Sequence, residues 1–120
     1  MQDNIFRNKM SDPKLKQIKI KTGVLKRIGK EKLSYRKEAD QQKAKLEKMK
    51  EEGKDSHDIK KMGEVVQESL MMIPDCHRRL ITAHADLMSL LEQEKDLAET
   101  EKYVAAQAQI QEAEEQMKAE

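Results

Sequence analysis

The sequence predicts an all-α fold, an antiparallel up-down-up three-helix bundle drawn out into a coiled-coil-like rod whose second helix is kinked at Pro74. Three observations lead there. The composition is that of long helices: Ala, Leu, Glu, Lys, Gln and Met dominate, 39% of residues are charged, 2% are aromatic, and the chain holds 4 Gly and 2 Pro. Apolar residues then recur at the heptad spacing of 3 and 4 along most of the chain. Finally, a single glycine-centred break, at Gly53, divides two long periodic segments.

Residues 1–11 are polar and aperiodic and are expected to form a disordered N-terminal extension, Met10 being a second possible start. The folded region is expected to be 12–120, with helices at about 13–52, 57–93 and 97–117. Asp12 as N-cap and Pro13 at the first helical position make a strong helix start. The first helix then extends on the order of 60 Å to the stop at Gly53. Its seam reads Ile18, Leu25, Ile28, Tyr35, Ala39, Leu46 and Met49, with Lys21, Lys32 and Gln42 as polar members that cost stability and can set register. Gly23 and Gly29 lie within this helix, where glycine either lets another helix approach closely or leaves the rod pliable.

The second helix keeps one phase from end to end. Positions a and d are Ile59, Met62, Val66, Ser69, Ile73, Cys76, Leu80, Ala83, Leu87 and Leu90, continuing to Glu94 and Leu97. That phase crosses Pro74 unchanged, so one bent helix fits better than two separate ones, although an interior proline costs about 3 kcal/mol. Met71 falls on f, opposite the seam. A second stripe, Pro74, His77, Ile81, His84, Met88 and Leu91, calls for a further neighbour, which the third helix would supply. Asp96-Leu97-Ala98-Glu99 has capping-box character, and Tyr103, Ala106, Ile110, Ala113 and Met117 follow at helical spacing.

Composition also narrows the function. The lone Cys76 rules out an intrachain disulfide and suits a reducing compartment. No apolar run reaches the roughly 20 residues that span a bilayer, and no signal-peptide segment is visible, so a soluble protein is expected. Net charge is +1, yet residues 1–61 hold 19 Lys/Arg against 10 Asp/Glu while residues 62–120 hold 5 against 13. Either the basic helix lies against acidic later helices, or it leaves a basic surface that steers an acidic partner.

Catalytic and cofactor signals are nearly absent. Gly23-Val24-Leu25-Lys26-Arg27-Ile28-Gly29-Lys30 resembles a phosphate-binding loop but has five residues between its glycines and Glu31 where Ser or Thr belongs. Cys76, His77 and His84 do not share one helix face, so boundary histidines and a buried thiol account for them better than a metal. The lysines of the first helix point around its whole circumference with no aromatic residues between them, which disfavours nucleic acid. Neither an enzyme nor a cofactor is expected.

Several strings carry a family resemblance: Gln17-Ile18-Lys19-Ile20-Lys21-Thr22-Gly23-Val24 followed by Lys26-Arg27; Asp58-Ile59-Lys60-Lys61; Gln67-Glu68-Ser69; Met71-Met72-Ile73-Pro74-Asp75-Cys76 leading to Arg78-Arg79-Leu80; and Glu94-Lys95-Asp96-Leu97. In order and spacing, over about residues 10–103, they resemble the tubulin-binding cofactor A family. The resemblance implies a three-helix bundle that captures β-tubulin after chaperonin release and hands it on, with other tubulin-folding cofactors, toward the α/β dimer. It further implies a cytoplasmic, cytoskeleton-associated protein, monomer or homodimer, that uses no nucleotide or metal. The residues expected to touch the client are Met71, Met72, Arg78 and Arg79 around the Pro74 kink, with Lys19, Lys21, Lys26, Arg27 and Lys30 on the first helix. The other reading of the methionines is that they pack against the third helix. Two rival functions share the composition: a structural coiled-coil homo-oligomer and a helical adaptor with no tubulin client.

Overall fold

The computed structural model describes residues 12–119, and the expected N-terminal extension lies outside them. Three helices account for most of that span, with no strand among the described residues: α1 (Pro13–Glu51), α2 (Ser56–Gln93) and α3 (Glu101–Lys118). They pass through two compact units. One joins the described residues up to Gly29 with those from Arg79 onward, and the other is Lys30–Arg78.

The second unit is a two-helix hairpin. At the end of α1, Gly53 takes φ +67, the Gly53 N–H donates to the Lys50 carbonyl (3.2 Å) and the Lys54 N–H to the Met49 carbonyl (3.0 Å). These bonds satisfy carbonyls that the helix end would leave bare, and only glycine adopts the required left-handed backbone without strain. Asp55 then caps α2, its carboxylate accepting from the His57 N–H at 3.0 Å. Away from the turn the seam is thin and partly polar: Lys32, Ala39, Val66, Ser69 and Cys76 are its buried members. Hydrogen bonds made by polar seam residues help to hold register. Ser69 Oγ donates to Gln42 Oε1 (2.7 Å) and Lys32 Nζ to His77 Nδ1 (2.9 Å), linking residues 27 and 45 apart in sequence as an antiparallel pairing requires. The polar seam positions thus act as register markers.

The first unit holds the hydrophobic core. Leu15, Ile18, Leu25 and Ile28 of α1 meet Leu80, Ala83, Leu87, Leu90 and Leu91 of α2 and Tyr103, Ala106 and Ala113 of α3. Leu97 joins them from a short 3₁₀ turn, Lys95–Leu97. Leu15 lies off the expected heptad phase, which would place Lys14 on the seam; it is buried because this end of α1 packs in a core that α3 and the 3₁₀ turn share with α2, so the buried arc of α1 is wider than an a/d seam. Gly29 proves to be a close-approach position, since a Cβ built there would lie 2.7 Å from Gln116 Cδ, whereas Gly23 meets nothing within 4 Å.

Two expectations need correction. The third helix begins at Glu101, not near residue 97, because Leu97 is drawn into the core by the 3₁₀ turn and Thr100 takes the N-cap, accepting from the Tyr103 N–H (3.3 Å) and donating to the Leu97 carbonyl (2.7 Å). The second stripe of α2 is only partly covered. Leu91 is buried, and its carbonyl accepts from the Tyr103 hydroxyl (2.9 Å), but Ile81 and Met88 remain 42% and 46% exposed. His84 is held to α3 by a 3.0 Å contact with Glu114.

Candidate functional site

In the hairpin unit, α2 runs on through Pro74 as helix. Proline has no N–H, so the carbonyl of Leu70, the residue directly before the methionine pair, loses its helical donor. The face beyond this point is open: Met71 is 70% exposed, and Met71 and Met72 line a shallow groove with Tyr35, Glu38, Glu68 and Ser69. Methionine on f therefore serves no core, and a flexible, polarizable thioether in that place suits a surface that must adapt to a partner. Arg78 is exposed and lies 3.6 Å from Asp75, an i,i+3 pair in water that leaves the guanidinium accessible. Lys30, also in this unit, is exposed.

In the core unit, Lys19, Lys26, Arg27 and Arg79 are exposed, and Lys21 is half-buried. Among the described residues Lys19, Lys21, Lys26 and Arg27 form no ion pair, and the same holds for Lys30 in the hairpin. Lys14 differs. Its ammonium sits 3.2 Å from the largely buried Glu94 carboxylate, whose hydrogen bond and charge raise the Lys14 pKa above its ordinary 10.5. Most of the positive charge of α1 is thus not spent on the acidic later helices in this unit. A groove lies along the same helix, lined by Gln17, Ile20, Lys21 and Val24 of α1 and Ala83 and Asp86 of α2.

The remaining sequence candidates are absorbed by structure. Gly23–Lys30 is helical throughout, so its amides are engaged within α1 and form no phosphate cradle. Cys76 is buried, His77 accepts from Lys32, and His84 meets Glu114. Among the described residues no group of three His, Cys, Asp or Glu is placed to hold a metal ion. No described helix is long and apolar enough to cross a membrane. Sequence reasoning missed the Gln17–Val24 groove, although the apolar spacing of Ile20 and Val24 beside Gln17 and Lys21 was there to be read as a second α1 stripe.

These features define a small all-α protein whose accessible chemistry lies on helical faces. The profile of the tubulin binding cofactor A family matches residues 13–110, and the chain belongs to that family. Tubulin-specific chaperone A of Gallus gallus is 62% identical over 99 residues, which cover 82% of this chain and 92% of the relative. The solved structure of human tubulin chaperone cofactor A superposes with a TM-score of 0.74 at 52% identity, covering 85% of this chain and 99% of the other. The crystal structure of tubulin folding cofactor A from Arabidopsis thaliana gives a TM-score of 0.78 at 40% identity, covering 86% and 97%.

Proposed function

We propose that this chain is a tubulin-folding chaperone that captures β-tubulin after its release from the cytosolic chaperonin and keeps it for handover, with other tubulin-folding cofactors, during assembly of the α/β dimer. The observation that carries this reading is the family match over nearly the whole helical region. The surface is compatible with it: unpaired cations on α1 and an exposed methionine on α2 offer charge and adaptable apolar area to a partly assembled client. The chain acts by binding, as a holdase in the cytoplasm beside the cytoskeleton. It covers apolar surface that tubulin would otherwise expose, and so lowers the free concentration of an aggregation-prone species. Client contacts come from Lys19, Lys21, Lys26, Arg27 and Arg79 in the core unit and from Lys30, Met71, Met72 and Arg78 in the hairpin.

Sedimentation of the purified chain, alone and with β-tubulin released from chaperonin, at two salt concentrations, tests the proposal and reads whether the chain is a monomer or homodimer. The expected result is a one-to-one complex that weakens as salt rises. Self-association with no tubulin shift would overturn it in favour of a structural oligomer, a role that the half-exposed Ile81 and Met88 would then serve.

A further inference from the structure

The groove of the core unit offers more than general stickiness. Gln17, Ile20, Lys21 and Val24 follow one another at helical spacing along one side of α1, and Ala83 and Asp86 form the facing wall. Ala83, a small residue at a seam position, leaves the hollow open. Ile20 is 54% exposed at the rim, a large aliphatic side chain with no core to fill. From residue 13 to residue 29 the sequence contains Lys14, Lys16, Lys19, Lys21, Lys26 and Arg27 and no Asp or Glu. Helical periodicity places Lys16 and Arg27 within about 40° of Ile20 on the surface of α1, while Lys21 lines the groove itself. The α1 rim is therefore apolar and cationic, and the α2 wall carries one carboxylate, Asp86.

We propose that this groove seats an amphipathic helix of the client whose apolar stripe rests on Ile20 and Val24 and whose acidic flank faces Lys16, Lys21 and Arg27. The proposal rests on the tubulin-chaperone reading and specifies the client segment by its chemistry. Asp86 gives the docking a sense: an acidic flank turned toward α2 would meet it, so the acids lie on the α1 side. The other apolar exposures of this unit lack such a field: Met88 and Val104 have Glu92 and Glu101 one turn away on their own helices, and Ile81 has the single cation Arg78 where Ile20 has Lys16, Lys21 and Arg27. Charge complementarity thus singles out the α1 groove.

The test uses the full chain, isotope-labelled for NMR, and two synthetic helical peptides with the same leucine stripe, one carrying Glu and the other Lys along the flank. The acidic peptide is expected to shift the amides of Gln17–Val24 and Ala83–Asp86, to weaken with salt, and to lose about tenfold or more in affinity with Ile20→Glu. Lys21→Glu should weaken it several-fold and Met88→Glu should not, with thermal scans checking that each variant folds. Equal binding of the lysine peptide, shifts centred on Met88 and Val104, no shifts, or indifference to Ile20→Glu would overturn the proposal. Concentration-dependent shifts at the groove without peptide would overturn it too, assigning the groove to a second copy of the chain. The same variants separate the two readings in β-tubulin capture. Undiminished capture by folded Ile20→Glu overturns the groove assignment and leaves the chaperone reading standing. A wild-type chain that binds the acidic peptide in the groove but captures no tubulin overturns the chaperone reading and leaves the groove's preference for acidic helices.

Discussion

Replacing Pro74 by Ala should stabilise the protein. Pro74 is exposed and sits well inside the 38-residue α2, so the substitution removes little packing and restores an N–H aimed at the Leu70 carbonyl. A helix-interior proline is about 3 kcal/mol less favourable than alanine. Alanine loosens the unfolded chain and gives back about 0.4–1 kcal/mol of that advantage. The net gain is about 2 kcal/mol, a rise in Tm of about 8 °C for a chain of this size. Urea denaturation would read it as a higher midpoint at unchanged slope, and amide exchange should slow around residues 70–78. A lowered midpoint would refute the reasoning, because it would mean that the hairpin is built around the proline. Coupling the variant to β-tubulin capture separates stability from function. A more stable Pro74→Ala that captures equally well would show that the interruption has no role in client binding.

The glycines should divide by backbone and surroundings. Gly23→Ala and Gly63→Ala, which meet nothing within 4 Å and have no positive φ, should each raise stability by up to about 1 kcal/mol, while Gly53→Ala at φ +67 should lower it by a similar amount; thermal scans of the three suffice. Met71→Ser should leave stability within about 0.5 kcal/mol and weaken β-tubulin binding, and the opposite pattern would return the methionine to a packing role. Gln109 is buried and its amide nitrogen has no partner among the described residues, so Gln109→Leu should stabilise by about 1–3 kcal/mol in urea. Because the Lys14 pKa is raised in the folded state, its pairing with Glu94 supports folding fully below the ordinary 10.5 and is lost as pH climbs through the higher folded value. Lys14→Met should accordingly flatten the alkaline limb of the stability curve above pH 10.5 and leave its shape near neutrality unchanged.

The α2 seam was legible in sequence because its periodicity is reinforced by burial: every a and d residue from Ile59 to Leu97 is at least half-buried, polar Ser69 and Glu94 included. The α1 stop was legible because Gly53 is required by backbone geometry. The start of α3 was not. Asp96-Leu97-Ala98-Glu99 imitates a capping box, and only the demand that Leu97 reach the core, a long-range condition, defers the cap to Thr100. Gln109 escaped notice because a buried glutamine beside Ile110 contradicts hydropathy. The exposure of Met71 was legible in its f position, opposite the seam. The Ile20 groove was not, since a groove depends on what the facing helix withholds, here the missing bulk at Ala83.

The division of the chain also bears on how it folds. The hairpin is contiguous in sequence, from Lys30 to Arg78, and closes through a turn of a few residues, whereas the core unit draws on stretches separated by that whole hairpin. Loop-closure entropy makes the hairpin the cheap first step, and its few buried apolar residues make that step weakly favourable. During synthesis α1 emerges without the partners of Leu15, Ile18 and Leu25, which arrive only with residues 80–113. The N-terminal cationic segment therefore spends the longest part of translation with its apolar face uncovered, and a chaperone of this design is itself a nascent chain in need of protection.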